Sequence, residues 1–165
     1  MKSFRSLLML SISAFLTAAL GLAGSDGAAQ FDRVKSLAGE WQGKAADGRS
    51  VHLTYRSVSG GTAVLESIDN AGEPLMVTLY YRDGDHLMMT HYCMANNQPR
   101  MRADASNGDS IVFTFVDATN LSSPDAGHMN AHSITWKDAD HVTQQWTWRQ
   151  AGQEKVESFD LQRQK

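Results

Sequence analysis

Turn chemistry recurs along this chain at nearly even intervals, and that constrains its fold more than any other feature. Asp47-Gly48, Ser59-Gly60-Gly61, Asn70-Ala71-Gly72, Asp83-Gly84, Asn107-Gly108, Asp138-Ala139-Asp140 and Ala151-Gly152 punctuate it. Gly, Asn and Asp supply the positive-φ conformations that hairpin turns need. The stretches between them are short and rich in Val, Thr, Tyr, Phe and Trp, side chains that suit a pleated surface. They predict about ten strands, near 40–45, 51–58, 63–69, 74–82, 86–93, 99–105, 110–117, 128–137, 141–149 and 155–163. Two connections, 94–98 and 118–127, are longer. No long helical pattern separates the strands, so parallel βαβ units are not expected. Consecutive hairpins in this number close on themselves, which removes exposed edges. The expected fold is all-β, an antiparallel up-and-down barrel. Ahead of it, Phe31, Val34 and Leu37 are spaced for one face of a short helix.

The 165 residues provide for one domain once an N-terminal segment is set aside. Lys2 and Arg5 precede an apolar stretch from Leu7 to Leu22, and the small-residue run Ala23-Gly24-Ser25-Asp26-Gly27-Ala28-Ala29 follows. Charged front, apolar middle and small residues near the exit make a secretory signal peptide, expected over 1–29 with cleavage before Gln30. Residues 30–165 are then the barrel domain, periplasmic or extracellular. Ser11, Ser13 and Thr17 interrupt the apolar stretch, so no stable membrane anchor is expected after cleavage. Loss of Lys2, Arg5 and Asp26 moves the net charge from −3 to −4. That mild acidity offers no footprint for nucleic acid. Cys93 is the single cysteine, so no internal disulfide forms and the core alone must hold the fold.

Leu37-Ala38-Gly39-Glu40-Trp41-Gln42-Gly43 resembles the opening of lipocalin-like (calycin) barrels, where a helix runs into a first strand carrying Gly-x-Trp. The block Leu87-Met88-Met89-Thr90-His91-Tyr92-Cys93, followed by Asn97-Gln98-Pro99-Arg100-Met101, is similar to an uncharacterised family of secreted bacterial lipocalin-like proteins. The likeness covers most of 31–163. It implies a fold, a Trp41 indole packed at the closed end and a bacterial setting, but no activity.

Alternation along a strand puts residues two apart on one face. Leu87, Met89, His91 and Cys93 share a face, as do Ile111, Phe113 and Phe115. Val64, Glu66 and Ile68 align, and so do Val142, Gln144, Trp146 and Trp148; His132 lies with Ile134 and Trp136. The expected interior is therefore aromatic and aliphatic, with Glu66, His91, His132 and Gln144 as polar points and Trp136, Trp146 and Trp148 as walls. An apolar pocket with a few converging polar groups is the usual make-up of a small-molecule site. A ten-strand barrel is also wider than the size that side chains just fill. The other arrangement is a filled core in which Glu66 bonds Tyr80 or a histidine to satisfy buried groups.

Arg100, in the polar segment Asn96-Asn97-Gln98-Pro99-Arg100, is placed at a rim where a guanidinium can take a ligand carboxylate. His91, Cys93 and Met89 on one strand face, with His132 as a distant partner, are the ligand types for a metal or haem. His128 and His132 share parity, but no Cys-x-x-Cys or His-Glu-x-x-His pattern supports the site. Lipocalin-related haem barrels ligate iron from a late strand, and 155–163 has no histidine. Haem and metal are not favoured. Glu66 with His91 or His132 offers an acid–base couple, and Cys93 a nucleophile, but no catalytic signature such as Gly-x-Ser-x-Gly appears. The expectation is an exported barrel binding a small, largely apolar molecule. The alternatives are an enzyme built on the Glu/His/Cys set and an envelope interaction protein without a small ligand; protein partners are not identified.

Overall fold

The computed structural model describes residues 27–70, 73–104 and 108–165. A helix, α1 (Gly27–Lys35), precedes β1 (Gly39–Ala45), β2 (Ser50–Val58), β3 (Ala63–Asn70), β4 (Glu73–Asp83) and β5 (His86–Tyr92). Then follow β6 (Gln98–Ala103), β7 (Ser110–Thr119), β8 (His128–Trp136), β9 (His141–Gln150) and β10 (Gln153–Arg163). Each strand pairs antiparallel with its neighbours in sequence, and β10 pairs with β1 to close the barrel. The expected all-β antiparallel barrel of ten strands is the observed fold. Residues 1–26 of the expected leader, Ala71, Gly72 and Asn107 of two expected turns, and residue 105 of one expected strand lie outside the described residues.

Local chemistry explains most boundaries. Ala151 (φ 48) and Gly152 (φ 76) both adopt left-handed conformations and join β9 to β10 in a two-residue turn, the geometry that matches strand twist. The helix already includes Gly27, ahead of the apolar spacing of Phe31, Val34 and Leu37. Gly27 N–H donates to Asp85 O at 3.1 Å, and a side chain there would meet that oxygen at 2.3 Å. Phe31 and Val34 on α1, with Leu37 just beyond it, are buried as their spacing implies. Gly39, at φ +126, then turns the chain into β1, a conformation that glycine adopts without a Cβ clash.

The two barrel ends differ. At one, α1 bonds to Asp85, just beyond β4, and to Asp104 and Gly108, between β6 and β7. Arg33 lies 4.3 Å over the Trp136 ring and donates to Gly108 O at 2.8 Å. Arg163 lies 4.4 Å over the Trp41 ring and donates to Ser36 O and Ala38 O. Trp41 Nε1 in turn donates to Leu37 O at 2.7 Å. Each guanidinium therefore stacks on an indole and ties the cap to the barrel wall. This is the closed end.

Inside, Trp41, Tyr55, Tyr80, Phe113, Leu53, Leu87, Met89, Met101, Ile111 and Ile134 are fully buried. Each large apolar side chain contributes on the order of 2–3 kcal/mol by leaving water. The middle of the barrel is thus packed with side chains rather than open, although its ten strands give width. The remaining space is at the opposite, open end.

Candidate functional site

Two layers of polar residues lie inside the barrel, one sealed and one near the open end. The sealed layer centres on Glu66 of β3. Its Oε2 accepts from Tyr80 Oη at 2.7 Å and from Gln144 Nε2 at 3.1 Å, and Gln144 Nε2 also donates to Tyr55 Oη. Trp146 Nε1 donates to Gln144 Oε1 at 3.1 Å. His132 Nδ1 meets Gln145 O at 3.1 Å, its Nε2 lies 3.2 Å from Tyr80 Oη, and its ring stacks on Trp146 at 3.9 Å. Glu66, His132, Gln144 and Trp146 are therefore brought together as the strand faces implied. The Glu66–Tyr80 bond, which belonged to the filled-core alternative, is present.

Burial sets the charge states in this layer. It pushes the Glu66 carboxyl above its ordinary range, while hydrogen bonds from Tyr80, Tyr55 and Gln144 pull the other way. Glu66 Oε1 has no hydrogen-bond partner, which makes a full charge there still more costly. Burial also pulls His132 down to about 3, against the opposing pull of the Gln145 carbonyl. Both tyrosines titrate well above the usual phenol range, through burial and then the neighbouring Glu66. Burial thus works against charge on both Glu66 and His132 within this bonded network.

The second layer is His91 of β5. Its Nδ1 lies 2.9 Å from Thr78 Oγ1, and its ring centroid lies 4.6 Å from that of Trp146. Its Nε2 is buried and has no partner. Burial lowers its pKa to about 4, so the ring is neutral. Ile68, Met76, Met129, Trp146, Glu157 and Phe159 surround a chamber of about 30 Å³ beside it. Met129, Trp146 and Glu157 also line an adjoining open cleft of about 390 Å³, together with Trp148 and Lys155. Glu157 accepts from Arg49 at 2.6 Å.

The wall of this cleft is held from behind. A Cβ on Gly127 would meet Trp148 Cζ2 at 2.1 Å, so only glycine lets the 120–127 connection pack on that indole. Asn97 Nδ2 donates to Gly127 O at 2.9 Å, Asn120 Nδ2 donates to Asn96 O at 2.6 Å, and Ala151 N–H donates to Asp125 O at 3.0 Å. The long connection is pinned to its neighbours at several points.

The structure places other expected residues elsewhere. Arg100 is on β6, not in a rim loop; it points outward and donates to both carboxylate oxygens of Asp117. Trp136 sits under Arg33 at the closed end, away from Trp146 and Trp148. Cys93 falls beyond the end of β5. Its N–H donates to Asn97 O and its carbonyl accepts from Asn96, so the chain is already turning and the side chain is half-buried at the rim. His128 does not share a face with His132, because a bulge between Met129 and Ala131 breaks the alternation. Among the described residues no three His, Cys, Asp or Glu side chains gather as metal ligands. Tyr55 and Thr78 belong to the two layers and were not singled out from sequence. Their signal was the alternation Val51-Leu53-Tyr55 and Met76-Thr78-Tyr80, which puts both on inward faces.

Fold and site together define a ten-stranded antiparallel barrel, capped by a helix at one end, with a small apolar chamber at the other. Among solved structures the chain is similar to a protein of unknown function from the DUF3598 family of Nostoc punctiforme. The TM-score is 0.45 at 11% sequence identity, and the match covers 79% of this chain and 49% of that one. This chain spans about half the length of that protein. No family model matches it, and no curated protein does.

Proposed function

We propose that this is an exported, lipocalin-like barrel that binds a small, largely apolar molecule at its open end. The observation that carries the reading is His91 Nε2, buried and unpartnered beside a chamber with mainly apolar walls. Buried polar groups in folded proteins nearly always have a partner. A chamber of about 30 Å³ takes only the tip of a ligand, so the body lies in the cleft of about 390 Å³ beside Met129, Trp146 and Trp148. That volume falls in the range of small-molecule sites. The neutral fluorescent amine N-phenyl-1-naphthylamine, titrated into the purified protein, is expected to bind saturably at one site with a rise in emission. A linear, non-saturating response would refute the reading.

Binding is favoured over acid–base catalysis by position. Glu66 and His132 lie in the sealed layer and border neither the chamber nor the cleft, whereas His91 lines the chamber, so a molecule held there does not meet the acid–base pair. The lipocalin-like affinity is supported by the Gly39-Glu40-Trp41 opening with Trp41 packed at the closed end under Arg163. Export is supported by the Lys2/Arg5 front and the apolar Leu7–Leu22 stretch. Cleavage before Gln30 would shorten α1 by its first three residues and remove the Gly27–Asp85 bond. The mass of the exported chain tests this: loss of residues 1–29 is expected, and retention of the apolar stretch would contradict export with cleavage.

A further inference from the structure

The hydrogen count around His91 says more about the ligand than the shape of the cleft does. Thr78 and His91 are both buried, and each has the other as its hydrogen-bond partner through Oγ1 and Nδ1. Two proton arrangements fit the 2.9 Å contact. In one, the Thr78 hydroxyl donates to Nδ1, and the imidazole proton is on Nε2. Only that single N–H is then unmet. In the other, Nδ1–H donates to Thr78, leaving both the threonine hydroxyl proton and the Nε2 lone pair unmet. Each unmet buried group is costly, so the first arrangement prevails. Neutrality of the ring, enforced by burial, rules out donation from both nitrogens. His91, which lines the chamber, therefore carries its one ring proton on Nε2, as an unmet donor.

We infer that the molecule bound at the open end carries a neutral hydrogen-bond acceptor, a carbonyl or ether oxygen on an apolar frame, that takes the Nε2–H of His91. This rests on the binding reading above. Ile68, Met76, Met129, Trp146 and Phe159 offer no other hydrogen-bond donor toward the chamber, since the Trp146 N–H is already given to Gln144. A carboxylate would be desolvated among these side chains with one neutral donor to meet it, and an ammonium would set donor against donor. Glu157, the carboxylate in the lining, is already engaged by Arg49. A water fits about 30 Å³ but finds only two polar side chains in the lining, His91 and the Arg49-bound Glu157, where buried waters usually make about three hydrogen bonds. An acceptor attached to an apolar body meets the same N–H without stranding further hydrogens.

Three probes with one frame test this: 2-acetylnaphthalene, 2-ethylnaphthalene and 2-naphthoate, each competing against N-phenyl-1-naphthylamine. The ketone is expected to bind about tenfold more tightly than the hydrocarbon, as one neutral hydrogen bond allows, and the carboxylate more weakly than either. In the wild-type protein, ¹⁵N NMR should show the His91 proton on Nε2, with that resonance shifting when the ketone binds. His91→Phe should bind ketone and hydrocarbon equally. Equal binding of the two to wild type, or displacement by neither, overturns the acceptor inference while the fluorescent amine still reports a working site. A proton on Nδ1 overturns it even if His91→Phe fails to fold. No saturable binding of the fluorescent amine itself overturns the binding reading, and this inference with it.

Discussion

Ala151 holds a conformation that an L-residue with a Cβ disfavours: φ 48, ahead of Gly152 at φ 76. Left-handed backbone costs a non-glycine residue about 1–2 kcal/mol, and Asn relieves part of that through its short polar side chain. Asn-Gly is also the favoured pair for a two-residue hairpin turn. The bond from the residue-151 N–H to Asp125 O belongs to the main chain and survives the change. Ala151→Asn is expected to raise stability by roughly 0.5–1 kcal/mol, read as a higher urea midpoint; a lower midpoint would show that the side chain is needed there. The turn itself was readable because Ala151-Gly152 carries its own signal. Arg100 was readable only in part. The alternation Arg100-Met101-Arg102-Ala103 does signal an outward Arg100, but its pairing with Asp117 depends on the β6–β7 register and on an irregularity beside Arg100 and Met101, which no local pattern announces.

At the scale of elements, alternation along single strands decided most of the interior. It placed Glu66, Gln144, Trp146, His91 and His132 inward, and the barrel does so. It failed where a strand stops or slips. Cys93 lost its place beside His91 when the backbone bonds of the 93–97 turn ended β5 at Tyr92. His128 lost its kinship with His132 at the β8 bulge. Bulges leave little trace in a single sequence because the extra residue need not be glycine; here it is Asn130, paired through its side chain to Glu154. The helix was legible by its apolar face. That it already includes Gly27 was not, because Gly27 is held by a backbone bond to Asp85, in a turn 58 residues along the chain. What separates the layers at the open end is likewise a matter of packing: Trp146 lies between His91 and His132, at 4.6 and 3.9 Å between ring centroids.

Across the whole molecule, buried titratable groups tie stability to pH. His91 and His132 gain a proton near pH 6.5 in an unfolded chain, but only near 4 and 3 in the fold. Acid therefore favours the unfolded state: their contribution is complete above about pH 6.5 and is lost as pH falls toward 4. Glu66 acts in the opposite sense. Its raised pKa keeps the proton in the fold where the unfolded carboxyl has already released it, so its contribution declines as pH rises above 4.5. The two histidines together outweigh it. The urea midpoint is expected to fall between pH 7 and pH 4.5, by roughly 2–3 kcal/mol in stability per histidine before the Glu66 offset. His132→Phe, which preserves an aromatic ring beside Trp146 and Phe113, should show a visibly shallower fall. An identical pH profile in that variant would mean that the histidine is not held neutral by its surroundings.

The width of ten strands suggested an open lumen, but aromatic side chains occupy the middle and confine the space to one end. The central claim is that this open end receives a small apolar molecule over His91. Titration of N-phenyl-1-naphthylamine into the wild-type protein and into Met129→Lys tests it most directly, because residue 129 borders both chamber and cleft. Saturable single-site binding to wild type, weakened at least about tenfold by an ammonium introduced into the apolar wall while the far-ultraviolet circular dichroism is unchanged, is the predicted result. Equal binding to both proteins would place the probe elsewhere and contradict the account.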